Sequence, residues 1–205
     1  MVEQPGYDMT IATVSRVQPQ LPSVPSRHAI TVAEYFRMGE AGVLDPDIRC
    51  ELIEGEIVDM PPIGPSHASK TNRLNSILAG ALRGRAIVSA QNPVVLGGLS
   101  APQPDLALLR DREDYYAEAH PGPGDILLLV EVADSSLAHD RNTKLPLYAR
   151  FSIPEVWIID VAGGHLDVHR DPDGPLYTHR FRPADLSRIG LVAFPDLVLD
   201  LSTLF

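Results

Sequence analysis

The chain has a single cysteine, Cys50, among its 205 residues. That excludes an internal disulfide and any cluster of thiolate zinc ligands. No apolar run approaches the ~20 residues that a membrane-spanning helix needs. The N-terminus, Met-Val-Glu-Gln-Pro-Gly-Tyr-Asp, has neither the basic stretch nor the apolar core of a secretory signal. The expectation is a cytoplasmic protein without membrane attachment. Positive charge is also scarce: 17 Lys and Arg against 27 Asp and Glu give a net charge of -10. Nucleic-acid binders usually neutralise phosphates with a basic face, so such a chain must gather its cations locally or use metal ions. Lys70, Arg73, Arg83, Arg85, Arg141, Lys144 and Arg150 are the candidates for a local patch. Neither a G-x-x-x-x-G-K phosphate loop nor a G-x-S-x-G elbow occurs, so those two site types are absent.

What is present suits one domain, since 44% hydrophobic residues in a chain of this length can bury a sizeable core. Residues 1–28 hold Pro5, Pro19, Pro22 and Pro25 without apolar periodicity, and read as a disordered or extended arm before a single domain over 29–205. Thr31 is a natural N-cap for a helix over 32–38, with Gly39 near its end. Residues 51–60 alternate apolar and polar around Gly55, as a hairpin does, and Pro61, Pro62, Gly64 and Pro65 then impose a loop. Leu74, Ile77, Leu78, Ala81 and Leu82 form a helical stripe over 70–83. Strands are expected at 86–90, 92–96, from Asp105 onward, at 127–133, 155–161 and 165–170, with 197–201 closing the sheet. A helix should contain Lys144, Tyr148 and Phe151, with Pro146 in its first turn after a Thr143 cap. The order implies an α/β (α+β) fold with a mixed sheet flanked by helices.

Leu127-Leu128-Leu129-Val130-Glu131-Val132-Ala133-Asp134-Ser135-Ser136 is the most informative segment. It reads as a strand buried on both faces with one carboxylate set inside it. A buried charge needs a partner or a metal. Asp105 opens the preceding apolar strand in the same manner. Two strand-borne carboxylates in need of a cation, with Lys144 downstream, point to a site for Mg²⁺ or Mn²⁺ and phosphodiester chemistry.

The order of several short motifs strengthens this. Pro104-Asp105, Glu131-Val132-Ala133-Asp134-Ser135-Ser136, Asp140-Arg141-Asn142-Thr143-Lys144 and Tyr148-Ala149 resemble the Uma2-like (DUF820) family. Glu51-Leu52-Ile53-Glu54-Gly55-Glu56-Ile57, the Pro-rich loop to His67, Ile153-Pro154-Glu155-Val156-Trp157 and Phe194-Pro195-Asp196 also match it, over roughly residues 30–205. That resemblance implies a restriction-endonuclease-like core of the PD-(D/E)XK superfamily. It implies metal-binding carboxylates at Asp105 and Glu131, an assisting N-terminal acid at Glu51, and a site histidine at His67. The superfamily's lysine would stand two residues after Glu131, where this chain has Ala133. The family pattern instead implies that Lys144, on the following helix, takes its place.

Tyr148 reads as core packing one helical turn from Lys144. His165, Asp167 and His169 share one strand face opposite Leu166 and Val168, and are expected to face solvent. Trp157 and the terminal Leu204-Phe205 offer an apolar surface for a homodimer. Two readings of function stay open. One is a metal-dependent endonuclease hydrolysing DNA phosphodiester bonds; the other is a nuclease-fold binding or regulatory module with little or no catalysis.

Overall fold

A computed structural model of the chain describes Pro25 and residues 27–205, so most of the proposed N-terminal arm lies outside the described residues. The fold is mixed α and β around one six-stranded sheet, in the order β3-β4-β5-β6-β7-β8. Its strands are β3 (Ala86–Ala90), β4 (Leu106–Arg110), β5 (Ile126–Ala133), β6 (Glu155–Asp160), β7 (His165–Asp173) and β8 (Leu176–Phe181). Every neighbouring pair is antiparallel except β5 and β6. A parallel pair needs a crossover. Here that crossover is helical: α3 (Leu137–His139), a π-helical turn (Asp140–Lys144) and α4 (Leu145–Arg150).

Before the sheet come α1 (Val32–Glu40), the hairpin β1 (Cys50–Ile53) and β2 (Glu56–Asp59), and α2 (Pro65–Leu82). Thr31 caps α1 in a reciprocal capping box with Glu34. The hairpin turns at Gly55 as its alternation requires.

All eight residues of β5 are buried, because both faces of the sheet are covered. On one face Leu74, Leu78 and Leu82 of α2 pack on Leu106, Leu128, Val130, Trp157 and Ile159. On the other, Leu147 and Tyr148 of α4 pack with Ala107, Leu129, Ala133 and Ile158. Glu131 falls between Leu129 and Ala133 on this second face, by the two-residue period of a strand. Among the described residues, no helix is long and apolar enough to cross a membrane.

Four expectations need correction. Residues 92–96 form no strand, because their N–H groups bond to loop carbonyls: Val94 to Pro102, Val95 to Pro121 and Leu96 to Ser100. Val198 and Leu199 (β10) do not join the central sheet but pair with β9 (Ile189–Gly190) as a separate two-stranded ribbon. Thr143 is not a helix cap, since helical backbone already runs from Leu137. Pro146 follows the π turn, where Leu145 N–H reaches the Asp140 carbonyl five residues back. That wider turn relieves the clash a proline makes with the carbonyl four residues earlier. Finally, Trp157 and Leu204 are 0% exposed and belong to this chain's own core, so of the expected dimer surface Phe205 alone, 40% exposed, is open.

Candidate active site

Glu131 is 3% exposed, deep between sheet and crossover. Tyr148 donates its hydroxyl to Glu131 Oε1 at 2.5 Å, and Lys144 Nζ donates to Oε2 at 3.2 Å. Tyr148 therefore packs in the core, as expected, and also holds the buried carboxylate, which periodicity alone did not suggest. Lys144 Nζ lies equally near Glu51 Oε2, at 3.2 Å, so one buried ammonium bridges two acids.

The hairpin brings Glu51 here. Its carboxylate also accepts the Gln103 N–H at 3.0 Å and lies 3.3 Å from His139 Nε2. Glu51 is fully buried behind the lysine and is absent from the wall of the cleft.

Asp105 precedes β4 and adjoins β5: its Oδ2 accepts the Val132 N–H at 2.8 Å and sits 3.0 Å from His67 Nε2. Gln91 donates more weakly to Oδ1, at 3.4 Å. His67 comes from the first turn of α2, where Pro65 starts the helix without needing an N–H partner. Thr71, one turn on, donates to the His67 carbonyl at 3.1 Å.

Asp105, Glu131, Lys144 and His67 thus line one narrow cleft of about 60 Å³, with room for a handful of waters. Asp140, Asp134, Ser136 and Arg49 line it as well. Asp140 is a site residue that sequence reasoning missed. The signal was its spacing from Lys144, four residues apart in one helical segment. Ser136 donates to Asp140 Oδ2 at 2.6 Å, and the side chain is buried.

The electrostatics are unbalanced towards negative charge. Burial drives the Glu131 carboxyl well above the usual carboxylate range; Lys144 pulls it back, while Asp140, Asp105 and Glu51 push it further up. Burial also raises Asp140, against Lys144 and the Ser136 hydroxyl. For Glu51 burial pushes upward too, but the His139 contact and the Lys144 charge outweigh it and hold the carboxyl low. Burial alone would make Lys144 a weaker base, yet Glu131, Glu51, Asp140 and Asp105 together keep its ammonium protonated.

This donor set suits a hard divalent cation. Asp105 and Glu131 present carboxylate oxygens to the same cleft, and the four buried acids exceed the charge of Lys144. Among the described residues, no three His, Cys, Asp or Glu gather as a metal cluster. An ion in this cleft would therefore rest on one or two protein carboxylates, with water and substrate completing the shell, which is the usual manner of Mg²⁺.

Two other expectations change. His165, Asp167 and His169 are less open to solvent than expected: His169 is 8% exposed, the His165 and Asp167 side chains 18% each, and Asp167 and His169 line a groove beside the crossover. The proposed cationic patch is dispersed: Arg85 pairs with Asp196, Arg150 with Glu54, Arg141 with Asp167, and Lys70 lies over the Phe205 ring.

Comparison with known proteins agrees with this fold. No curated protein matches the chain. Among solved structures it is similar to one described as "a putative nuclease belonging to DUF820 from Anabaena variabilis ATCC 29413", with a TM-score of 0.66 and 16% identity. That match covers 86% of this chain and 97% of the other. Residues 32–202 match the family profile Uma2, described as "Putative restriction endonuclease". The fold is shared with that solved structure, and the chain belongs to the Uma2 family.

Proposed function

We propose that the protein is an endonuclease that hydrolyses DNA phosphodiester bonds with Mg²⁺ or Mn²⁺, and that the Asp105–Glu131 cleft is its active site. One observation supports this above the others. Lys144, from the crossover helix, reaches the carboxylate of Glu131 at 3.2 Å, although the strand position two residues after Glu131 is Ala133. A solvated surface lysine has no reason to be 1% exposed among four acids.

In this reading Asp105 and Glu131 hold the ion. When bound, the cation polarises the scissile phosphate and makes a coordinated water more acidic. Lys144 orients the attacking water and offsets charge on the transition-state phosphate. Glu51 acts through Lys144, as counter-ion and spacer, because it lies behind the ammonium and outside the cleft wall. His67 fixes the rotamer of Asp105, and Tyr148 that of Glu131. Glu131, whose Oε2 meets Lys144 in this structure, would hold the ion together with Asp105, and Lys144 would then stand beside both ion and substrate. A homodimer, which would let two sites address both strands, would need a face other than the one around Trp157.

The non-catalytic reading leaves the buried lysine and the excess of acids without a task. The test is nicking of supercoiled plasmid in Mn²⁺ by wild type and Asp105→Asn. Nicking that vanishes in the variant and in chelator supports the proposal. Intact plasmid with wild type, while Mn²⁺ still raises the melting temperature, moves the assignment to a binding module.

A further inference from the structure

A second depression lies across the crossover from the cleft. It has a volume of about 700 Å³ and is lined by Arg141, Asn142, Asp167, His169, Arg180 and Arg182, among others. The π turn is the wall between the two: Asp140 and Lys144 line the cleft, while Arg141, Asn142 and Leu145 line the groove. In a chain with only 17 Lys and Arg and a net charge of -10, three arginines meeting in one groove is a strong local concentration of cations.

The arginines are arranged rather than scattered. Asp167, on β7, accepts from Arg141 Nη2 at 2.7 Å through Oδ2 and from Arg182 Nε at 2.9 Å through Oδ1. Asp160 lies 3.7 Å from Arg141 at the margin. One carboxylate thereby sets the aim of two guanidinium groups and still leaves the groove positive. Arg180 is exposed on the edge strand β8 and has no acidic partner among the described residues. Opposite it in register stands His169, 8% exposed, whose Nε2 has no hydrogen-bond partner. That nitrogen is enclosed, so His169 forms the floor of the groove and the arginines supply its polar groups.

We propose that this groove is where the protein holds the phosphodiester backbone of its nucleic-acid substrate, with Arg141, Arg180 and Arg182 on phosphates. The proposal rests on the nuclease reading, and supplies the basic surface that the overall charge withholds. The geometry favours a strand over a small anion. The groove is far larger than the 60 Å³ cleft, and only one helical turn separates the two. A backbone lying in it would run along the outer side of the turn whose inner side carries Lys144. Arginine forks suit phosphate oxygens, and Asp167 pre-orients two of them, which reduces the entropy lost on binding.

The test is fluorescence anisotropy with a short labelled DNA duplex in chelator, over a range of salt concentrations. Wild type is compared with Arg180→Ala, Arg180→Ala/Arg182→Ala and Arg83→Asn. The last removes one charge at the far end of α2, where residue 83 has φ 49° and asparagine is tolerated. Each phosphate that goes unneutralised should lower the slope of log affinity against log salt by about 0.9. The groove variants should bind more weakly with a shallower slope, and Arg83→Asn should match wild type. Equal binding by all four, with wild type still nicking plasmid, overturns the groove and leaves the nuclease reading intact. Neither binding nor nicking by wild type overturns both. If inorganic phosphate stabilises wild type but not Arg180→Ala, and duplex binding ignores the substitution, the groove is a small-anion site and the proposal fails.

Discussion

Glu131 shows at the scale of one residue how sequence becomes chemistry. A carboxylate inside an eight-residue buried strand demands compensation, and that demand was legible from the run of apolar residues around it. Its partners were only half legible. Lys144 was expected from the resemblance, but the Tyr148 hydroxyl and the Glu51 carboxylate behind the lysine follow from three-dimensional packing. His169 is the contrary case. Alternation placed it correctly on the face opposite Val168, but strand periodicity cannot say whether that face is covered, and here His169 is buried beside the crossover. Its burial has a consequence for pH. Desolvation lowers the His169 pKa, with Arg180 and Arg141 adding to the effect and Asp167 opposing it. The folded imidazole therefore resists protonation more than the unfolded one, whose value is near 6.5. The stability it contributes is present above that value and lost as pH falls below it. Melting temperatures taken from about pH 7.5 to about pH 5.5 should fall further for wild type than for His169→Phe. Parallel curves for the two proteins would show that another group carries the acid sensitivity.

At the scale of elements, the segments with strong periodicity or punctuation were readable. Thr31 marked the start of α1, the leucine stripe marked α2, and Gly55 marked the hairpin turn. The elements that escaped were those whose existence depends on a neighbour. β8 buries only Tyr177 of its six residues, so it carries no alternation, and it exists because β7 offers it an edge. Residues 92–96 look like a strand by composition, but their backbone is satisfied by loops. The π turn has no signature in composition beyond Pro146, yet it sends Lys144 to one side and Arg141 to the other. The hairpin offers a direct test of how an element supports the site. Gly55 has φ +84°, and a Cβ there would sit 2.7 Å from the Ala29 Cβ. Gly55→Ala should lose about 1–2 kcal/mol from the left-handed backbone alone, and more from the collision. Ala29→Gly added to it should recover the collision part but not the backbone part. Urea denaturation that finds Gly55→Ala as stable as wild type would refute this account of the turn.

For the whole molecule, strand order in the Uma2 fold brings distant acids together. The β4–β5 pairing sets Asp105 beside β5, and the hairpin and the crossover carry Glu51 and Lys144 in from either side. The shared order of short motifs made the family legible, whereas the patch of cations suggested by composition did not form. Cations are distributed by tertiary contacts that no linear reading reaches. The central claim is that Lys144 serves catalysis and not the binding of metal. Its most direct test is Lys144→Met, which keeps the volume of a buried side chain, assayed for Mn²⁺ affinity by calorimetry and for plasmid nicking in Mn²⁺. Thermal melts establish that the variant is folded, since the remaining acids can take up protons. The account predicts Mn²⁺ affinity equal to or tighter than that of wild type, with nicking slowed by about two orders of magnitude, roughly 3 kcal/mol of transition-state stabilisation. Nicking at the wild-type rate by a folded Lys144→Met would contradict it.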